Sequence, residues 1–137
     1  MSSSPEQVRR ILGRVRREEF IGRATELERI VSHAIAAREA GGLLILLAPL
    51  AGVSELLRQA YDSLFNARGD LVPIYFSLPA SETTAVSAAI EFLYAFLAQY
   101  IAFRRNEPAL AQASLTDRKS TRLNSSHIQK SRMPSSA

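Results

Sequence analysis

The residues of this chain best suited to chemistry lie in the segment 49–55, PLAGVSE, which contains Pro49, Ala51, Gly52, Val53, Ser54 and Glu55. It is a tight run of small residues between an apolar stretch, LLILL at 43–47, and a segment of helical periodicity opened by the hydroxyl of Ser54. Unsatisfied backbone N–H groups at a helix N-terminus carry partial positive charge, so a loop of this kind can cradle a phosphate. The hydroxyl of Ser54 is then placed to face a divalent cation bound with it. By themselves the same residues also describe an ordinary turn between a strand and a helix.

Periodicity marks the elements that must position this loop. Residues 5–19 (PEQVRRILGRVRREE) carry Val8, Ile11, Leu12 and Val15 at spacings of three, four and seven, which predicts an amphipathic N-terminal helix. Its five arginines form either a solvated face or a contact to phosphate. Gly22 interrupts the pattern, Thr25 offers an N-cap, and Leu27, Ile30, Val31, Ala34 and Ile35 predict a second helix to about Glu39. The unbroken apolar run 43–47 predicts a strand buried on both faces of a parallel sheet. Helical periodicity resumes over 54–65 through Leu56, Leu57, Ala60, Tyr61, Leu64 and Phe65, and NARGD at 66–70 reads as a loop. LVPIYFSL at 71–78 predicts a second strand whose start Pro73 pushes toward a sheet edge. A long helix follows over 84–105, with Ser81 or Thr83 as its cap. Strand, helix, strand, helix is the rhythm of an α/β fold with right-handed crossovers.

Within that helix, VSAAIEFLYAFLAQYIAF at 86–103 holds a single charge, Glu91, and approaches the length of a membrane span. A helix packed on a sheet explains the same composition without an unpaired carboxylate at bilayer depth, so a membrane location is not expected. The C-terminal run 117–137, DRKSTRLNSSHIQKSRMPSSA, is basic and serine-rich. Its codons can be written so that 117–127 and 131–137 resemble, in frame, the two arms of the adapter ligated to DNA fragments for short-read sequencing, with a variable index between them. That resemblance implies a disordered tail foreign to the natural protein, and a natural frame cut short near Thr116. The tail holds five of the 17 basic residues and one of the 13 acidic residues, so the remainder is formally neutral and implies no nucleic-acid partner. Cysteine is absent, which excludes disulfides and thiolate catalysis and suits a reducing compartment, the cytoplasm. Met1 is followed by SSSPEQ rather than an apolar run, so no signal peptide is expected.

Upstream of the loop, FIGRATELERI at 20–30 resembles the F-x-G-R-x-x-E-L box of AAA+ and STAND-type ATPases, with Phe20, Gly22, Arg23, Glu26 and Leu27 matching. The segment LLILLAPLAGVSELLRQ is similar to the strand, phosphate loop and E-L-L-R helix that follow the box in that family. The resemblance implies a partial P-loop NTPase fold: an N-terminal helix over 1–19, a truncated P-loop domain over 20–116, and the tail over 117–137. It implies ATP and Mg²⁺ as cofactors, Phe20, Ile21, Gly22 and Arg23 near the adenine, and Pro49, Ala51, Gly52, Val53, Ser54 and Glu55 around the phosphates, with Ser54 on the metal. The match is incomplete. Ala48 replaces the first glycine, the loop is one residue short, Val53 stands where a glycine belongs, and the lysine is missing. Both lysines of the chain, Lys119 and Lys130, lie in the tail.

No metal-ligand spacing and no Ser-His-Asp set is present. His33 reads as a helix side chain, and Glu18, Glu19, Glu55 and Asp62 read as ordinary helix-face charges. Two functions are therefore expected: a regulatory or signalling ATP-binding module of AAA+/STAND type with a degenerate phosphate loop, or a nucleotide-independent relative serving as a protein-interaction scaffold.

Overall fold

The computed structural model describes residues 8–36, 42–78 and 84–113. Its regular elements are α1 (Ala24–Ala36), α2 (Val53–Ala67), α3 (Ala85–Arg105) and the short α4 (Pro108–Ala111), with a 3-10 turn at Arg17–Glu19. The sequence of α2 gives it three faces. Leu56 and Ala60 pack on Leu27 of α1, with Phe20, Ile30 and Val31 half-buried beside them. Tyr61 and Phe65 pack on Ile11, on Ala102 and Phe103 of α3, and on Ala111 of α4. Phe65 meets Phe103 edge-on at 5.4 Å. The third face carries Glu55, Gln59, Asp62 and Asn66 at spacings of four, three and four, a polar stripe between two apolar ones.

Helix ends are set by local chemistry. Arg68 adopts a left-handed conformation that closes α2, and its guanidinium lies 4.1 Å from the centre of the Phe103 ring. Thr84 caps α3, its hydroxyl oxygen accepting the Ser87 N–H at 3.1 Å. Asn106 closes α3 in the left-handed region, and Pro108 opens α4, where its missing N–H costs nothing. The candidate caps Ser81 and Thr83 lie outside the described residues, as does the tail 117–137. Thr25 falls inside the first turn of α1 rather than before it, because α1 already begins at Ala24.

The expected α/β sheet is not formed. Among the described residues there is no strand, so the parallel-sheet P-loop architecture gives way to a helical one. A strand buried in a parallel sheet needs backbone partners and apolar cover on both faces. The run 42–48 lacks the cover: Leu44 and Leu46 are each 80% exposed. The run 71–78 has no regular secondary structure and is held from the side by α3. The buried Gln99 accepts the Tyr75 N–H at 2.7 Å through Oε1 and donates Nε2 to the Tyr75 carbonyl at 2.8 Å. One side-chain amide thus supplies the donor and the acceptor that a neighbouring strand would.

The expected N-terminal helix is also replaced. Residues 8–16 form an irregular strap across the polar face of α2. Gly13 in the middle of the run lowers helix stability by about 1 kcal/mol relative to alanine. The carboxylates of α2 meanwhile offer the strap's N–H groups acceptors that a helix would otherwise supply. Gly13 is also required sterically, since a Cβ there would stand 2.8 Å from both Asp62 Oδ2 and Gln59 Nε2.

α3, with 21 residues, is long and apolar enough to cross a membrane by length and composition, and only 17% of its apolar window is buried. It does not pack on a sheet as expected. Its buried contacts are made near its C-terminal end by Gln99, Ala102 and Phe103, while Val86, Ile90, Leu93, Leu97 and Ile101 run along one exposed side.

Candidate functional site

The loop before α2 is shaped by two left-handed residues. The Ala51 N–H donates to the Ala48 carbonyl at 3.1 Å, closing a turn in which Leu50 has φ 63°, and Gly52, directly after the turn, has φ 78°. Ala51 between them has no positive φ, so left-handed residues alternate with an ordinary one. A left-handed residue directly before a helix, as Gly52 is before Val53, is a backbone pattern that can build a concave anion seat. Gly52 occupies the left-handed region freely, whereas Leu50 does so at a cost of about 1 kcal/mol with its side chain wholly in solvent. α2 then begins at Val53, and its first internal bond runs from Leu56 N–H to the Gly52 carbonyl at 3.0 Å. No side chain caps this end. The N–H groups of the first turn therefore face outward, with Pro49 and Ser54 exposed beside them and Ala51 and Val53 half-buried.

Glu55 has a different task. Its carboxylate turns away from the loop and accepts the Arg14 N–H at 2.9 Å, the Val15 N–H at 3.3 Å and Gln59 Nε2 at 2.9 Å. Arg58 lies 3.8 Å from the same carboxylate and above the Tyr75 ring, so its charge is directed back along α2 and not at the loop. Burial pushes the Glu55 carboxyl up, but the bonds from Gln59, Val15 and Arg14 and the charge of Arg58 together outweigh it and leave the pKa below the ordinary glutamate value.

The upstream box is only partly brought to the loop. Phe20 joins the Leu27–Leu56–Ala60 cluster and so touches the first turns of α2. It lines a cleft of about 410 Å³ shared with Arg17, Leu27, Val31 and Ser63, on the α1 side of the helix. Ile21 stands 86% exposed, Gly22 turns the chain with φ 84°, and the half-buried Arg23 uses its carbonyl to accept the Leu27 N–H and start α1.

The polar stripe of α2 is the feature that the periodicity of its apolar residues concealed. Asp62, read from the sequence as a surface charge, is buried and accepts three consecutive backbone N–H groups: Ile11 at 3.1 Å, Leu12 at 2.8 Å and Gly13 at 3.0 Å. Gln59 donates to the Val15 carbonyl at 2.9 Å, and the Asn66 amide both accepts the Arg9 N–H and donates to the Arg9 carbonyl. Burial raises the Asp62 pKa above the ordinary aspartate value, and the three N–H bonds offset that rise in part. The Tyr61 phenol beside it is buried with no hydrogen-bond partner, and burial together with the Asp62 charge pushes its pKa far up. The signal for this arrangement was present as Glu55, Gln59, Asp62 and Asn66 at one-turn spacing, but nothing along α2 states what such a stripe will bind.

Chemically, the loop offers outward N–H groups, one hydroxyl and no cation of its own. Among the described residues no group of three His, Asp or Glu side chains is placed to hold a metal. No protein-family model, no curated protein and no solved structure matches the chain.

Proposed function

We propose that the loop at 49–55 is the phosphate-facing element of a regulatory ATP-binding module, related in its motifs to the AAA+/STAND ATPases and degenerate in its phosphate loop. The observation that carries this reading is the alternation of left-handed Leu50 and Gly52 immediately before an uncapped helix N-terminus. A leucine held at positive φ in solvent gains nothing from its own contacts, and strain of that kind is retained where backbone groups must point one way. The loop holds no lysine, and Arg58 is engaged by Glu55, so binding rests on backbone N–H groups and the helix dipole. Such a site binds nucleotide weakly and hydrolyses it poorly, as suits a sensor in the cytoplasm, in keeping with the absence of cysteine. Titration of the full chain with labelled ATP and Mg²⁺ gives binding that Ser54→Ala weakens. No detectable binding at millimolar nucleotide would end the proposal.

A second reading, a nucleotide-independent scaffold, is favoured by the exposed stripe Val86, Ile90, Leu93, Leu97 and Ile101 on α3. Contiguous apolar surface of this extent marks a site where another protein's apolar face docks. Calorimetry separates the two readings, because a ligand that binds the native state must raise its melting temperature. A clear rise with ATP that Ser54→Ala abolishes removes the scaffold reading.

A further inference from the structure

The strap that α2 clamps and the 3-10 turn that follows it carry five arginines within nine residues, Arg9, Arg10, Arg14, Arg16 and Arg17. Four of them, all but Arg14, line a cleft of about 440 Å³ between the strap and α2, floored by Gln59 and Asp62. The nearest helix carboxylates are engaged elsewhere: Asp62 accepts the backbone N–H groups of Ile11, Leu12 and Gly13, and Glu55 those of Arg14 and Val15. Three of the guanidinium groups bond neutral oxygens. Arg9 Nη2 donates to Asn106 Oδ1 at 2.6 Å, Arg10 Nη1 to the Arg14 carbonyl at 3.4 Å, and Arg17 Nη1 to Ser63 Oγ at 2.6 Å. Each of these bonds orients a charge without neutralising it. With Glu18 as the other acidic group of the lining, the cleft holds more positive than negative charge.

We propose that this cleft is a binding site for a small polyphosphate-bearing molecule, separate from the loop at 49–55. The guanidinium fork matches phosphate oxygens two at a time, and four arginines lining one cleft favour a ligand with more than one phosphate. The volume falls within the range of small-molecule sites. The scaffold beneath it is fixed, because main-chain bonds to Glu55, Gln59, Asp62 and Asn66 hold the strap from Arg9 to Val15 and leave the arginine side chains as the recognising groups. Nothing in this inference depends on the loop being a nucleotide site.

Inorganic pyrophosphate, titrated calorimetrically into the full chain at low salt, tests the proposal. The expected result is saturable binding that the double variant Arg10→Gln/Arg16→Gln weakens at least tenfold, that Ser54→Ala leaves unchanged, and that weakens severalfold on raising the salt. Both arginines are exposed, and an unchanged melting temperature certifies the fold of the variant. Arg16→Lys serves as a milder second variant that keeps the charge and loses the fork, with an intermediate loss expected. Absence of binding at millimolar pyrophosphate overturns the proposal. So does binding that survives the double variant; if that binding disappears with Ser54→Ala instead, the anion sits at the loop, and the nucleotide reading stands while this one falls.

Discussion

Two segments of this molecule outside its helices meet opposite fates. The strap at 9–15 lies against α2, where a stripe of four polar side chains accepts the N–H groups of Arg9 and of residues 11–15 and donates to the Arg9 and Val15 carbonyls. The run at 42–48, far more apolar and by its residues the better strand, ends largely in solvent with Leu44 and Leu46 exposed. The difference lies in the partners. An extended backbone must hand its N–H and C=O groups to something, and here the acceptors and donors come from helix side chains aligned at one-turn spacing. The run at 71–78 falls between the two, secured at Tyr75 by the single amide of Gln99. Apolar character favours burial, but hydrogen-bond partners decide where an extended segment can settle.

The comparison can be broken most directly at Asp62. Asp62→Ala leaves three N–H groups at a buried site without their acceptor, and at about 1–3 kcal/mol for each unmet group the loss is expected to reach roughly 3 kcal/mol or more, read from the urea midpoint. A change below about 1 kcal/mol would mean that the strap does not depend on the stripe. Gln99→Ala removes two bonds from the backbone of Tyr75 and should cost about 2 kcal/mol, with near-ultraviolet dichroism reporting loosened aromatic packing around Tyr75.

Glu55 sharpens the same point through pH. Its pKa is lower folded than unfolded, so its contribution is fully present above the ordinary glutamate value and is lost as the pH falls through the folded value. Asp62, with a raised pKa, has the opposite sign: its contribution is present at low pH and is lost as the pH rises through the folded value. Glu55→Gln should therefore flatten the acid side of the stability profile relative to wild type, since the Glu55 charge is the weakest of the influences on Asp62. An unchanged acid limb in urea titrations between pH 7 and 3 would show that Glu55 does not hold the strap electrostatically. The smallest effect belongs to the other segment: Leu44→Ser or Leu46→Ser should shift stability by no more than about 0.5 kcal/mol, because both side chains are already in water. A larger loss would mean that the run is covered in solution.

Much of α1, α2 and α3 was legible along the chain, since apolar residues at three and four apart mark a helix whatever packs on it. The turn before Ser54 was legible for the same local reason, small residues between periodic segments; the loop expected at 66–70 begins only at Arg68, because Asn66 and Ala67 continue α2. The failures share one cause. A parallel strand and an isolated extended run have the same residues, and the distinction lies in partners far off in sequence. The N-terminal segment failed because its apolar spacing fits a helix equally well as a strap, until Asp62 and Glu55, some 40 to 50 positions away, compete for its N–H groups.

Of the candidate site, the sequence by itself determined the residue types: the small-residue loop, the hydroxyl of Ser54, the missing lysine and the concentration of arginine before Phe20. Only the tertiary structure decided what those residues face. It gave Leu50 and Gly52 their alternating backbone, drew the Glu55 carboxylate away from the loop, and spread four arginines around a cleft. The physical reason is that helix periodicity is a property of neighbours along the chain, whereas the destination of a carboxylate or an N–H group depends on which distant segment reaches it first with a matching partner.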